Sequence, residues 1–251
     1  MSEQEPQPPL PPRDEPALNI PSVVAVLSLV LIIVHVFRVY ALGYDGETYF
    51  LLLFAFLPIR YAQDALGGQV LPGGELADIW TFLSYAFLHG GGMHLFINLL
   101  WMVVFGSALA RRFHAGRFLV FSALCAIGGA IAHLTTHFGE AVPMVGASAA
   151  ISGQMAGASR FVFEMGGPLG VIRRTDEAAY RVPATGLVHS LANRQVLAFL
   201  GVWFAINILF GFWSAPIAGA GASIAWEAHI GGFLAGLALF PLFDPIPRRG
   251  A

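Results

Sequence analysis

Apolar residues run along this chain in six long stretches separated by short clusters of charge. The first, Pro21 to Tyr40, is apolar almost throughout, with Arg38 near its end. The second and third, His94 to Ala110 and Arg117 to His137, are parted by Arg111 and Arg112. The fourth runs from Gly146 to Phe163, the fifth from Arg194 to Trp213, and the sixth from Trp226 to Phe243, closed by Asp244. A helix rises about 1.5 Å per residue, so roughly 20 apolar residues cross a ~30 Å hydrocarbon core. The pattern predicts an all-α membrane protein, a bundle of six transmembrane helices spanning residues 21–247.

Two segments interrupt the pattern. Residues 41–93 form more than a loop: Tyr49 to Ile59 is apolar but too short to span, and Asp45, Glu47, Arg60 and Asp64 flank it. That length predicts an interfacial or re-entrant piece embedded in the membrane. Residues 164–193 read as a polar insert on the cytoplasmic side. Residues 1–20 are acidic and Pro-rich, without the basic start of a signal peptide or the Arg-rich character of a transit peptide, and are expected to be a disordered cytoplasmic tail.

Composition agrees with a membrane class. Of 251 residues, 57% are hydrophobic and 11% charged, with a mean hydropathy of +0.70; soluble domains carry about a quarter charged residues. Net charge is close to neutral, so nucleic acid is not an expected partner. The single cysteine, Cys125, excludes an internal disulfide framework. All thirteen basic residues are arginines. With a cytoplasmic N-terminus, eleven of them lie inside and only Arg38 and Arg60 outside, the bias expected of six spans with both termini in the cytoplasm. The tail and the lack of a transit peptide point to a bacterial inner (cytoplasmic) membrane.

Polar side chains at membrane depth are costly and so make a short list of functional candidates: Asn98, Ser148, Ser152, His229, Asn207, His133 and His35, with His94 and Glu227 near span ends. Counting helical rise from the cytoplasmic charges puts Asn98 about 20 Å, Ser148 about 18 Å and His229 about 22 Å above the inner boundary. Three polar groups on three spans therefore fall on one level. A serine hydroxyl becomes a nucleophile when a base takes its proton, and Ser148 with His229 supplies that pair. Acyl transfer also needs donors aimed at an oxyanion; His94 and Asn98 share a helical face, and the Ser148 amide lies near a helix N-terminus. With no Asp or Glu at the right level, a dyad is expected. Glu227, two residues from His229 on a helix, points elsewhere, and Asn207 receives no role. His133, His137 and His35 read as packing or interfacial residues without a shared metal face, so no metal site and no cofactor are expected.

Small residues permit close helix approach in lipid. Gly146 opens the small-residue run around Ser148, and Gly153 with Gly157 on the fourth span matches Gly232 with Gly236 on the sixth, predicting that these two helices touch.

The combination of His89-Gly-Gly-Gly-Met-His94-Leu-Phe-Ile-Asn98, Gly146-Ala-Ser148-Ala and Ala-His229-Ile-Gly-Gly232-Phe-Leu-Ala-Gly236 resembles the rhomboid intramembrane serine proteases over roughly Trp80 to Phe243. The resemblance implies Ser148 as nucleophile, His229 as base, and an oxyanion site lined by His94, Asn98 and the Ser148 amide. It implies substrates that are transmembrane segments of other proteins in the bilayer, cut near the outer face, and makes Ser214 to Ala225 a mobile cap. The chain departs from the family pattern at Ala149, usually Gly; at Thr81, usually Arg beside Trp80; at Ala110, usually Glu; and at Ser152, usually an aromatic against the catalytic His. Ala149 and Ser152 favour an alternative, a catalytically inactive relative that binds transmembrane clients. A small transporter, which would show inverted repeats, is the third class.

Overall fold

The computed structural model describes residues 19–172, 176–212 and 225–247. Residues 1–18 of the predicted tail, most of the predicted cap and five arginines of the charge count (Arg13, Arg173, Arg174, Arg248 and Arg249) lie outside the described residues. The described chain is helical, with one isolated two-residue bridge, Phe56 to Met144, as its β pairing. Its α-helices are α1 (Ser22–Ala41), α2 (Tyr44–Phe54), α3 (Gly74–Ser84), α4 (Gly92–Trp101), α5 (Ser107–Thr136), α6 (Ser148–Ser159), α7 (Leu187–Ala192), α8 (Arg194–Phe212) and α9 (Trp226–Phe243). A π-helical turn, Met102–Gly106, joins α4 to α5.

Each of the six apolar stretches carries helix. Among the described residues, three runs are long and apolar enough to cross a membrane: Ser22–Ala41, Gly92–Thr136 and Trp226–Phe243. The middle run, of 45 residues, is broken at His114, whose φ of 62° and ψ of 166° interrupt α5. Gly106 and Phe118 would lie about 18 Å apart along one straight helix. A Cβ on Gly106 would instead sit 3.5 Å from Phe118 Cζ, so the two limbs fold back on each other.

α6 departs from its predicted extent. Helix was expected across Gly146 to Phe163, but α6 is 12 residues long, and every residue from Ala149 to Ser159 is buried. It is the central post of the bundle, enclosed by α5 and α9, so a stretch of membrane-like hydropathy here faces protein instead of lipid. Small residues make this possible. A Cβ on Gly232 would lie 2.1 Å from Ala149 O, and one on Gly236 would lie 2.4 Å from Gly153 O. A Cβ on Gly153 would overlap Cys125 of α5. The outward faces of α1, α8 and α9 expose Leu29, Ile33, Val36, Val202, Ile208 and Leu234, an apolar girdle that water does not tolerate and acyl chains do.

The two ends of the post are fastened differently. At the Ser159 end, Arg112 is fully buried and makes two 2.8 Å hydrogen bonds to the Asp244 carboxylate. It also donates to Tyr180 O and Val182 O and lies over the Phe161 ring at 4.4 Å. Arg160 donates to Thr185 O at 2.6 Å. The described part of the 164–193 insert is therefore packed beneath the bundle as its floor. At the Ser148 end, the first loop is held by its own polar core. Arg60 donates to Leu52 O and Pro72 O, Trp80 Nε1 donates to Leu53 O, and Tyr61 OH donates to Asp78 O. Thr81 is buried against Ala77 O and the Tyr61 hydroxyl.

Candidate active site

The first loop sets the backbone before Ser148. Phe56 and Met144 exchange two backbone hydrogen bonds, 3.1 and 2.9 Å, and Gly146 N–H donates to Tyr85 O. Tyr85 in turn donates its hydroxyl to Ala126 O on α5. Gly146 has φ +126°, and a Cβ there would lie 2.8 Å from the His94 ring and 3.6 Å from Ser148 Oγ. Only a residue without a side chain brings the imidazole of α4 up to the first turn of α6. Ser148 follows as the first residue of α6, where amide N–H groups have no partner within the helix.

His94 is oriented by its neighbour. Gly90 N–H donates to His94 Nδ1 at 3.3 Å, which leaves the proton of the neutral ring on Nε2. That edge approaches Gly146, two residues before Ser148, so the ring presents a donor to the cavity they share. Asn98, one turn later on α4, donates its amide to His94 O at 2.8 Å and is buried. Asn98 does not line the cavity that holds the other three residues; it secures the turn that carries His94.

His229 is oriented from α8. Asn207 donates its amide nitrogen to Trp203 O at 2.8 Å, which turns Oδ1 away from its own helix. His229 Nδ1 lies 2.5 Å from that Oδ1. An amide oxygen only accepts, so Nδ1 carries the proton and Nε2 keeps its lone pair. Trp203 stacks on Phe233 at 4.7 Å, fixing α8 against α9 beside this bond. The sequence offered no carboxylate to orient His229 and left Asn207 without a role; a neutral amide does the orienting.

Ser148, His229 and His94 line one cavity of about 650 Å³, which Tyr85 and Val145 also border and which extends to Arg38 and Glu47 beside the first loop. The arrangement brings together a hydroxyl, a nitrogen lone pair and donor N–H groups at the end of a space large enough for an extended peptide segment. His89, between α3 and α4, is buried against His94; its carbonyl accepts from Arg38, and its ring meets that of His94 with centroids 5.2 Å apart. Burial, reinforced by His94, His35 and Arg38, pushes the His89 pKa down to about 3, so this ring is neutral.

Two departures from the family pattern have local explanations. The Ala149 methyl sits where α5 presents Gly129; a Cβ on Gly129 would be 2.4 Å from it. Ser152 donates to Ser148 O at 2.8 Å, closing the first turn of α6. Glu227, adjacent in sequence to the site, bonds His133 at 2.6 Å and His137 at 3.1 Å and does not bond His229. His133 and His137, expected to lack a shared metal face, converge with Glu227, and the three residues' ligand atoms lie within 4.8 Å of one another.

Comparison with known families matches residues 76–244 to the Rhomboid domain. Two curated relatives, each named Rhomboid protease GlpG and each from a strain of Klebsiella pneumoniae, are 34% identical over 50 residues. That alignment covers 20% of this chain and 18% of the length of either relative. The family match spans most of the chain, which therefore belongs to the rhomboid family and is a membrane protein.

Proposed function

We propose that the protein is an intramembrane serine endopeptidase that cuts transmembrane segments of other membrane proteins. The observation that carries this reading is the orientation of His229: its proton is tied to Asn207, so the free lone pair is available to Ser148 on the shared cavity. Family membership supports it, since the relatives matched bear a protease name.

In this reading His229 Nε2 takes the Ser148 hydroxyl proton as Oγ attacks the scissile carbonyl. The negative charge on the carbonyl oxygen is met by the Ser148 N–H and the His94 Nε2–H. The tetrahedral adduct collapses as His229 returns its proton to the leaving amine, and water then cleaves the acyl-serine by the same steps in reverse order of roles. Preorganised donors in a site shielded from bulk water act more strongly than they would in solution.

The bundle belongs in a bacterial inner membrane as six spans with both termini in the cytoplasm. The Arg112–Asp244 floor lies on the cytoplasmic side and the Ser148 cavity toward the outer face. The arginine distribution supports this orientation, and the reversal at His114 supports counting Gly92–Thr136 as two spans. The bilayer is thus both solvent and source of substrate, and the cleavage steps use the chain's own side chains and water. Reading the protein as an inactive client binder rested on Ala149 and Ser152, and their accommodation by Gly129 and Ser148 O weakens it.

The test is cleavage of a single-span membrane protein by the full chain in proteoliposomes. Wild type cleaves, while Ser148→Ala and His229→Ala lose at least ~10³-fold, as removal of a nucleophile or its base does elsewhere. Intact substrate with well-folded wild type across several single-span substrates would favour the client binder.

A further inference from the structure

The structure gathers a second constellation around Glu227, two residues before His229 on α9. His133 and His137 lie four residues apart at the end of α5, on one face of the helix. Glu227, in the first turn of α9, closes the set, and the three ligand atoms all lie within 4.8 Å of one another.

Hydrogen-bond inventory makes this an unusual set of neighbours for two imidazoles. His133 Nδ1 faces Glu227 Oε1 at 2.6 Å, and its Nε2 faces Val142 O at 3.2 Å. His137 Nε2 faces the same Glu227 oxygen at 3.1 Å, and its Nδ1 faces Glu140 Oε2 at 2.8 Å. All four ring nitrogens thus meet oxygen acceptors, whereas two neutral rings carry only two N–H groups between them. A dication at the convergence point would resolve the mismatch. It would take the lone pairs of His133 Nδ1 and His137 Nε2 together with a Glu227 oxygen, and leave the remaining N–H groups on Val142 O and Glu140. A ligating histidine whose other nitrogen donates to a carbonyl or carboxylate is the usual supporting arrangement of protein metal sites.

We propose that His133, His137 and Glu227 form a binding site for a divalent transition-metal cation of the zinc class. Tetrahedral zinc with bonds of ~2.0–2.1 Å sets its ligand atoms about 3.3 Å apart. To reach that spacing the His137 contact to Glu227 opens by about 0.2 Å and the His133 contact by about 0.7 Å. Two imidazoles and a carboxylate suit zinc and exclude magnesium or calcium, which take oxygen cages. Access comes through His137, whose side chain is 30% exposed against 1% for His133 and 9% for Glu227, and this side leaves a fourth position for water. The bound cation ties the end of α5, the segment leading to Ser148 and the turn of α9 that precedes His229.

The test uses full-length protein in detergent, stripped with chelator and then dialysed against zinc chloride. Wild type should retain one zinc per chain and melt at a higher temperature with zinc than without. His137→Ala, at the most exposed ligand, and Glu227→Gln should retain no zinc and show no shift. Cobalt substitution gives a readout independent of folding variants: wild type should acquire the intense visible bands of tetrahedral cobalt, and His137→Ala should not. No zinc in wild type, or equal zinc in wild type and both variants, would overturn the proposal, the second result assigning the metal to other histidines such as His94 and His229.

Discussion

His229 Nδ1 sits 2.5 Å from Asn207 Oδ1, and Asn207 is itself held by the hydrogen bond its amide N–H donates to Trp203 O. This chain of two hydrogen bonds decides which nitrogen of His229 faces the Ser148 cavity with a lone pair. Asn207→Ala removes the acceptor while leaving Ser148, His229 and His94 in place. We expect kcat to fall about 10²-fold, the lower edge of what a positioned proton carrier contributes, with KM little changed. Asn207→Asp keeps the accepting oxygen and should recover more activity than Asn207→Ala. Steady-state cleavage in proteoliposomes separates the two; equal loss in both variants would mean that the acceptor is not what matters.

Close packing of α6 and α9 makes a sharp contrast between two glycines. Gly232 would place a Cβ 2.1 Å from Ala149 O, whereas a Cβ on Gly201 of α8 meets nothing within 4 Å. Gly232→Ala should destabilise by at least ~1–3 kcal/mol, the usual cost of overpacking, and Gly201→Ala should leave stability unchanged or raise it. Thermal unfolding in detergent checks both.

The buried ion pair at the floor should matter far more than the exposed one beside it. The Arg112 and Asp244 side chains are 0% and 6% exposed, while Arg111 pairs with a Glu177 that is 66% exposed. Asp244→Ala strands a buried guanidinium and should cost ~3–5 kcal/mol. Glu177→Ala should cost under ~1 kcal/mol. The same unfolding assay ranks them.

Acid sensitivity follows from His89. Its folded pKa is depressed to about 3, chiefly by burial, below the ordinary value of 6.5. The unfolded chain therefore takes up a proton that the folded chain refuses, and stability falls as pH drops through 6.5 toward 3. His89→Asn removes this proton uptake, so its unfolding midpoint should decline less steeply than that of wild type between pH 7 and pH 4. Parallel declines would show that other groups govern the acid limb.

Much of this architecture was legible because hydropathy and intramembrane polarity report directly on lipid exposure. The apolar stretches coincide with helices, and the motif residues Ser148, His229 and His94 meet at one cavity. Other features depended on facts that hydropathy does not carry. The helix expected to Phe163 stops at Ser159, because the apolar run Phe161 to Phe163 continues as turns, which hydropathy does not distinguish from helix. Asn207 could not be assigned because α8 is apolar on all sides, so nothing in its pattern says which face meets α9. Asn98 shared the predicted face with His94 but bonds its own helix, a local preference that spacing alone does not reveal. His133 and His137 read as packing residues because the carboxylate they converge on, Glu227, comes from a helix about 90 residues further on.

The most direct measurement is labelling of Ser148 by a fluorophosphonate, which reports nucleophile activation without requiring the right substrate. Wild-type protein in detergent should label at Ser148. Ser148→Ala should not label, and His229→Ala should label at least ~10²-fold more slowly, since the base supplies the activation. Unlabelled wild type that still melts cooperatively, or labelling as fast in His229→Ala as in wild type, would contradict a Ser148 nucleophile activated by His229.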